Sequence, residues 1–338
     1  MNRPKPRIFI FNWPGFIGGA DTKLAHLLHL LHAHADITVV PNHKRYLRNG
    51  YWTKFMDRLG VKYATLERLP RKVDGFGLSL CNDCFFIDRI AHRAKEKGLK
   101  IIWSSEMMWH HKGELAAVKD GLIDKVLYTS EFQKAALAPG YGQLPWAITG
   151  NYIAPSFFPF RERRNATFTI GRLSRPAPEK YPEDFPVFYE CLDLPDTRFR
   201  VMAWSEELSR KYRWHKFDHR WDLLAPQQES QLQFLHSLDL FVYPLGHTFR
   251  ESWGRSTVEA MLTGCIPLVP PGHHFDQLIA HRESGFICED FLEYQNYARE
   301  LCLNYQLRRR LARKCRTHAV TALCNRQEHL NQWLGVFQ

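Results

Sequence analysis

Short apolar segments recur along this chain of 338 residues, and longer amphipathic segments separate them. Eight of the apolar segments predict β-strands, at residues 8–11, 37–40, 100–103, 125–128, 168–170, 199–203, 240–243 and 267–269. Strands that alternate with helices form parallel sheets, because each helix crosses one face of the sheet to the start of the next strand. The sequence therefore predicts an α/β protein built on parallel sheets.

The length of the chain suits two domains of ordinary size, and its 45% of apolar residues can fill two cores. Between residues 155 and 165 the alternation stops, and two prolines, three phenylalanines and several charges take its place. We therefore predict a first domain over residues 1–160, a second over residues 161–318 and a last helix over residues 319–338. Open parallel sheets bind ligands beyond the carboxyl ends of their strands, so we expect a site in a cleft between the domains.

The segment at residues 250–271 contains a loop with Gly254, then a helix that begins near Ser256. The first amides of a helix and its positive dipole end bind phosphate, and a glycine lets the backbone approach it closely. The predicted cradle consists of Gly254, Arg255, Ser256 and Thr257. Arg255 either reaches the phosphate or is a solvated residue of the first turn.

Two carboxylates flank this cradle, Glu251 before the helix and Glu259 one turn inside it. They could bind hydroxyls at the two ends of a ligand whose phosphates lie between them, with a sugar at one end and a ribose at the other. In the alternative interpretation, the segment is an ordinary amphipathic helix and Glu259 is a solvated residue.

The whole segment resembles the donor-binding region of retaining glycosyltransferases of family 4, which carry a signature of Glu, seven residues and Glu. Other segments match the same family in the same order. Gly18 and Gly19 resemble the glycine pair that opens the first helix, and residues 170–175 with Lys180 resemble the strand end that supplies a basic pair to the donor diphosphate. Residues 126–132 and 150–153 resemble the last parts of the family's first domain.

This resemblance implies the GT-B architecture, in which two Rossmann-like parallel-sheet domains face a cleft. The first domain would bind the acceptor, the second would bind the nucleotide sugar, and the last helix would cross back to the first domain. Glu251 would hold hydroxyls of the donor sugar and Glu259 the ribose, while Arg172 and Lys180 would bind the diphosphate. The donor would be a UDP- or GDP-linked hexose, and no tightly bound cofactor is expected.

Two further candidates follow the strand predicted at residues 100–103. Glu106 and His110 lie where members of the family place a residue that contacts the transferred sugar, although His110 could equally be a satisfied histidine in a polar loop. His273 and His274 occupy a loop in which the family has small residues and a glycine near the donor. This departure bears on which sugar the site would accept.

Transfer from a nucleoside diphosphate builds negative charge on the leaving group, which fixed cations and amide dipoles can stabilise. The chain contains no DxD motif, the usual metal-binding motif of many glycosyltransferases, so we predict metal-independent transfer. Cys81 and Cys84 form one CxxC pair without further ligands nearby in the sequence, and no metal site is assigned to them.

The amino terminus has basic residues before the apolar residues 8–11, as a secretory signal does. Its apolar run is too short, however, and no cleavage site follows it, so a buried first strand is the better interpretation. No apolar run approaches the roughly 20 residues of a membrane helix. Eight cysteines in a chain of this length do not form a dense disulfide framework, so we expect a reduced cytoplasm, with peripheral association at the inner face of the membrane.

Charge is the only clue to the acceptor. The chain has a formal net charge of +11, and residues 43–72 hold nine basic and two acidic residues, or 9 − 2 = +7. Aromatic residues interleave with the basic ones, and residues 308–316 form a second basic cluster. Such a surface suits an anionic membrane, a phosphorylated glycolipid or a nucleic acid, and its alternative is a solvated basic face.

Two classes of function fit these observations. In the first, a retaining and metal-independent glycosyltransferase moves a hexose to a lipid-linked or polysaccharide acceptor, or to a modified base in DNA or RNA. In the second, a non-catalytic protein on the same fold binds carbohydrate or nucleic acid, because a fold alone does not establish activity. The joint presence of Arg172, Lys180, Glu251 and Glu259 favours the enzyme.

Overall fold

A computed structural model describes residues 4–16, 19–163 and 167–338. The chain divides into two compact units, one formed by Met1–Ala154 with Asn325–Gln338 and the other by Pro155–Cys324. We call them the first and the second unit.

The first unit is built on a parallel sheet of seven strands in the order β3-β2-β1-β4-β5-β6-β7. The strands are β1 (Arg7–Ile10), β2 (Asp36–Val39), β3 (Lys62–Tyr63), β4 (Phe76–Leu80), β5 (Lys100–Ser104), β6 (Lys125–Tyr128) and β7 (Trp146–Ile148). β1 pairs with both β2 and β4, so the order of the strands reverses between β1 and β4. A reversal of this kind opens a crevice at the carboxyl ends of the strands, where ligands of such sheets bind.

Seven helices belong to the described part of this unit. They are α1 (Gly19–Leu31), α2 (Gly50–Leu59), α3 (Cys84–Ile87), α4 (Ile90–Glu96), α5 (Glu114–Lys119), α6 (Glu131–Tyr141) and, from the end of the chain, α14 (Arg326–Val336). Central strands such as β5 and β6 are buried on both faces, which explains why they read as continuous apolar runs. Phe11, Phe85 and Trp103 lie at the centre of one core layer, between the sheet and the helices.

The second unit has a parallel sheet of six strands in the order β10-β9-β8-β11-β12-β13. The strands are β8 (Phe168–Leu173), β9 (Thr197–Met202), β10 (Trp221–Leu224), β11 (Leu240–Val242), β12 (Ile266–Val269) and β13 (Phe286–Ile287). The helices are α7 (Phe185–Glu190), α8 (Glu206–Lys211), α9 (Gln231–Ser237), α10 (Arg255–Thr263), α11 (Phe275–Leu278), α12 (Phe291–Leu303) and α13 (Tyr305–His318). Here the order of the strands reverses between β8 and β11.

All eight predicted strands are present, each within a few residues of its predicted bounds. The α/β class with two Rossmann-like parallel sheets is therefore confirmed. Among the strands that the pattern did not single out, β3 and β13 span only two residues each, which is too short for a periodic signal.

The two units separate at residue 154, before the predicted boundary at 160, and again at residue 324, after the predicted 318. The physical reason is α13, whose arginines hold the segment that follows Ala154. Arg316 donates to the carbonyl oxygens of Pro155 and Phe158 at 3.3 and 2.7 Å, and Arg313 pairs with Glu162 at 2.8 Å. A turn of π-helix at Ala319–Leu323 then continues α13 within the second unit.

None of the described helices has the length and apolar character that crossing a membrane requires.

Candidate functional site

The best-formed polar cluster lies in the second unit, where the order of its strands reverses. β8 and β11 are neighbours in the sheet, and the segments that follow their carboxyl ends carry the cluster. After β8 the chain forms a short 3-10 helix, Pro178–Lys180, and after β11 it continues through Tyr243 to Glu251. Two segments some 70 positions apart in sequence thus meet at the edge where parallel sheets bind ligands.

Glu251 and Lys180 form a largely buried ion pair. The Lys180 Nζ lies 3.0 Å from the Glu251 Oε2, and the Tyr243 hydroxyl donates to the same oxygen at 3.2 Å. Burial alone would raise the pKa of Glu251, but the Lys180 ammonium and the Tyr243 hydroxyl bring this pKa below its usual value. Burial alone would lower the pKa of Lys180, but the charge and hydrogen bond of Glu251 together with the Tyr243 hydroxyl raise this pKa above its usual value. Both groups are therefore charged at neutral pH.

The structure places Arg172 between the two loops of the cluster. This residue is fully buried, with its guanidinium 3.9 Å from the ring centre of Tyr181 and 4.3 Å from that of Tyr243. Its Nη1 donates to the Pro244 carbonyl oxygen at 2.7 Å and its Nη2 to that of Lys180 at 3.3 Å. The role of Arg172 at the diphosphate stays a prediction, and its contacts within the protein are those of a residue that joins two loops. Arg172 ties the loop after β8 to the loop after β11.

A glycine completes this junction of the two loops. The Gly246 amide donates to the Lys180 carbonyl oxygen at 3.3 Å, and a Cβ on Gly246 would lie 2.2 Å from the carbonyl oxygen of Glu179. Any side chain at this position would force the loops apart and move Lys180 away from Glu251. Gly246 therefore fixes the geometry of the ion pair by close backbone approach.

The helix α10 begins at the predicted place and has an open amino terminus. Gly254 adopts a left-handed conformation with φ +85°, and a Cβ there would lie 2.7 Å from the Phe275 ring. The Thr257 amide donates to the Gly254 carbonyl oxygen at 3.0 Å. Of the amides in the predicted phosphate cradle, this one therefore already has a partner within the helix. The amides of Arg255 and Ser256 have no acceptor within the helix, so they could donate to a ligand.

Two side chains of this first turn, those of Arg255 and Thr257, are largely enclosed by the protein. Arg255 is 11% exposed, its Nε lies 2.9 Å from the Glu259 Oε1, and neither Nη has a hydrogen-bond partner among the described residues. The Thr257 Oγ1 is also buried and has no partner in the same part of the chain. Unpaired buried donors are costly, which points to a polar ligand at this turn. The interpretation of Arg255 as a solvated residue is wrong.

Glu259 is buried as well, and the interpretation of it as a solvated residue is also wrong. The Gln231 amide at the start of α9 donates to its Oε2, while Arg255 pairs with its Oε1. Burial raises the pKa of Glu259, and the two partners only partly oppose this shift. Both oxygens of the carboxylate are thereby held in a fixed orientation.

The histidine pair follows β12 and adjoins Glu251. The Nδ1 of His273 accepts the Glu251 amide at 3.2 Å, and His273 has a left-handed backbone with φ +57°. The His274 ring stacks on Trp253 with 6.2 Å between ring centres. Burial lowers the pKa of both rings, that of His274 to about 4. Neutral imidazoles therefore line the loop that holds Glu251.

Sequence reasoning missed some members of this site. Arg175 is exposed and lies close enough to Glu251 to help lower the pKa of its carboxyl group. Arg175 stands in the same motif as Arg172, so the motif did contain the signal. The partners Tyr243 and Gln231 had no local signal, because their roles depend on contacts across the sheet.

In the first unit, Glu106 follows β5 and forms a second buried ion pair. Its Oε1 lies 2.6 Å from the Nζ of Lys23 on α1 and accepts the Ser104 hydroxyl at 2.9 Å. Lys23 also donates to the Gly150 carbonyl oxygen at 3.3 Å. Gly19 is the first residue of α1 and has open space around it, whereas Gly18 lies outside the described residues.

His110 has the contacts of a structural histidine. Its Nδ1 lies 3.4 Å from Glu114, a fully buried carboxylate that also accepts the Tyr141 hydroxyl and the His111 amide. Its ring packs edge-on against Tyr141 and leaves no room for a side chain at Gly140. These contacts favour the satisfied-histidine interpretation, and they leave Glu106 as the stronger candidate in this unit.

Comparison with solved structures shows what the fold of the whole chain resembles. HepE of Anabaena, in complex with UDP and glucose, matches 98% of this chain and 99% of its own at 14% identity, with a TM-score of 0.73. TarM matches 98% of this chain and 99% of its own at 11% identity, with a TM-score of 0.77. The chain has the GT-B fold. Sucrose-phosphate synthase of Thermosynechococcus elongatus is similar over 98% of both chains, at 12% identity and a TM-score of 0.69.

No protein-family model matches the sequence, and no curated protein matches it either.

Proposed function

We propose that this chain is a retaining glycosyltransferase that moves a hexose from a nucleoside-diphosphate sugar to an acceptor hydroxyl without a metal ion. The observation that carries the proposal is the charged Lys180–Glu251 pair before the open amino terminus of α10, at the reversal of the strand order. In this proposal the two glutamates act as the Glu, seven residues, Glu signature of family 4.

The spacing of polar groups supports a nucleotide-sugar ligand. Glu251 would accept hydrogen bonds from sugar hydroxyls, the amides of Arg255 and Ser256 would bind phosphate oxygens, and Glu259 would accept the ribose hydroxyls. The unpaired Nη atoms of Arg255 are suited to the same diphosphate or to the nucleoside next to it. These groups lie in order along a loop and one helical turn, as a ligand with phosphates at its centre requires.

In the proposed reaction, the bond between the anomeric carbon and the diphosphate oxygen breaks, and a bond to the acceptor oxygen forms on the same face. The diphosphate leaves with increased negative charge, and the acceptor proton passes to it. Lys180, Arg175 and the α10 amides would stabilise this charge, and they need no rearrangement to do so. Arg172 would act through the two loops that it joins, by holding Lys180 in place.

The first unit would supply the acceptor side. Glu106, oriented by Lys23 and Ser104, is the candidate for a hydroxyl of the acceptor or of the transferred sugar. His110 would support the loop around it through Glu114. A saccharide or a lipid-linked saccharide is the acceptor class we favour, because TarM of S. aureus has been crystallised with α-GlcNAc-glycerol and UDP.

UDP is the first nucleotide to test. The HepE structures contain UDP and UDP-glucose, and one TarM structure also contains UDP. GDP-linked sugars form the second group. The test is thermal unfolding of the full chain against nucleoside diphosphates and their hexose conjugates, with EDTA throughout, because a ligand of the native state raises the melting temperature. At one hundred times its Kd, a ligand adds about 2.7 kcal/mol to the free energy of unfolding.

The decisive variant is Glu251→Gln, which keeps the shape of the side chain and removes its charge. We expect it to fold, to bind the free nucleoside diphosphate and to lose transfer of the sugar by about 100-fold or more. Full transfer by this variant would exclude Glu251 from the site. Nucleotide binding by the native chain without turnover on any saccharide would instead favour the non-catalytic binding protein.

A further inference from the structure

The first unit carries a surface that the proposed transfer does not use. It consists of Phe16, the short helix Lys44–Arg48 and the helix α2, and we call it the α2 surface. The Asn49 side chain caps α2 by accepting the Tyr51 and Trp52 amides, and Gly60 ends it in a left-handed conformation. One face of α2 buries Trp52 and Met56 against the unit. The helix is thus fixed on one side only.

The outer side of α2 exposes large rings. Phe16 is 56% exposed and Tyr51 is 57% exposed, with 4.9 Å between their ring centres. Both also pack on the buried Trp52, at 4.7 and 4.9 Å. An isolated exposed ring is ordinary on a protein surface, but a pair of rings that is supported from below points to a binding surface.

Basic side chains lie on α2 and on the short helix that precedes it. They are Lys44, Arg45, Arg48, Lys54 and Arg58, and all five are exposed. Tyr51, Lys54 and Arg58 follow one another at spacings of three and four, so they share one stripe of the helix. Within residues 4–16, 19–163 and 167–338, none of the five basic residues forms an ion pair. Their charge is therefore not neutralised within the protein.

We propose that the α2 surface binds the surface of an anionic lipid bilayer. A helix that presents aromatic and basic residues on one side lies in the interface of a membrane, where rings enter the headgroup region and lysines and arginines approach anionic lipids. Bases of a nucleic acid stack on the open face of a ring. Phe16 and Tyr51 instead pack against each other and against the buried Trp52, so part of each ring is already covered.

This inference does not rest on the proposed transfer, because no residue of the α2 surface belongs to the donor site. Binding to vesicles needs neither a donor nor an acceptor. The two proposals can therefore fail separately.

The test is co-sedimentation of the full chain with vesicles of phosphatidylcholine, with and without phosphatidylglycerol. We expect binding only to the vesicles with phosphatidylglycerol, and we expect it to weaken as salt is raised. Loss of one basic residue near such a surface lowers the affinity about fivefold, so Lys54→Gln with Arg58→Gln should lower it about 25-fold. The matched control is Arg310→Gln with Lys314→Gln, which removes two exposed charges from α13.

The rings are tested in the same way. Phe16→Ser with Tyr51→Ser should lower vesicle binding about tenfold or more, because the rings supply the apolar contact. The control is Trp214→Ser, since Trp214 is equally exposed in the second unit. Equal loss in the α2 variants and their controls would overturn the proposal. Retention of a single-stranded oligonucleotide without vesicle binding would overturn it in favour of a nucleic acid.

Discussion

Arg172 joins the two loops that carry the candidate donor site. Its guanidinium lies between two tyrosine rings and bonds to carbonyl oxygens on both loops of the donor site. Both loops are therefore held together by this one side chain. Lys180, by contrast, reaches Glu251 directly and carries its charge at the edge of the sheet.

This difference gives a prediction for Arg172→Met. Removing the guanidinium leaves the buried Pro244 carbonyl oxygen without a donor, while the Lys180 carbonyl oxygen keeps the Gly246 amide, so the free energy of unfolding should fall by about 1 to 3 kcal/mol. Donor affinity should fall as a consequence, because Lys180 loses its support. Chemical denaturation without ligand measures the first effect and calorimetry with UDP the second. A variant with native stability but weak donor binding would show that Arg172 contacts the phosphate after all.

His274 should make stability depend on pH. Its folded pKa is lowered to about 4 by burial, which Asp276 opposes only in part, whereas histidine in an unfolded chain has a pKa of about 6.5. Between these values the unfolded chain binds the proton and the folded chain does not. The stabilisation is therefore complete above pH 6.5 or so and is lost progressively as the pH falls toward 4, by up to about 3 kcal/mol.

The measurement compares the free energy of unfolding of the native chain and of His274→Gln at a series of pH values. Glutamine does not titrate, so the free energy of unfolding of the variant should fall less steeply between about pH 6.5 and pH 4. Parallel pH profiles would show that the imidazole is not held neutral on Trp253.

At the scale of elements, α14 determines whether the first unit has a complete core. The helix belongs to this unit although more than 150 residues of the second unit precede it in the sequence. Trp333 is fully buried, and its ring lies 5.7 Å below the ammonium of Lys23, the partner of Glu106. Phe337 packs on Phe76 of β4, with 5.5 Å between ring centres.

We therefore expect Trp333→Ala to lower the free energy of unfolding by about 3 to 5 kcal/mol, because it leaves a large cavity. Trp214→Ala, at an exposed tryptophan of the second unit, should change it by no more than about 0.5 kcal/mol. Urea denaturation of both variants provides the comparison. Similar stabilities in the two variants would mean that α14 contributes little to the first unit.

At the scale of the whole molecule, the chain has the GT-B fold and keeps the complete candidate donor site within one unit. The second unit is continuous in sequence, from Pro155 to Cys324, and has its own sheet and core. Lys180, Glu251 and Glu259 all belong to it. The groups proposed to bind the nucleotide should therefore not need the first unit in order to assemble.

A fragment of residues 155–324 tests this. We expect it to fold cooperatively and to bind the same nucleoside diphosphate as the full chain, because its length is that of an ordinary domain. It should not transfer sugar, since the proposed acceptor residues lie in the first unit. Circular dichroism and calorimetry measure the two properties. A fragment that folds but does not bind the nucleotide would place part of the donor site elsewhere.

Much of the fold and part of the site could be predicted from the sequence, because their signals are local. The alternation of apolar and amphipathic segments predicted the parallel sheets, and the signals around Gly254 predicted the start of α10. The spacing of Glu251 and Glu259 also follows from one loop and the first turn of the helix after it. Each of these features depends on residues that are close together in the chain.

Only the tertiary structure decided which of these residues meet. The pairing of Lys180 with Glu251 depends on β8 lying next to β11, and the contact of Gln231 with Glu259 depends on α9 lying next to α10. The burial of Arg172 and the contact between His110 and Glu114 likewise depend on neighbours from other elements. Local periodicity specifies that strands and helices form, whereas the order of the strands in a sheet is set by packing between distant segments.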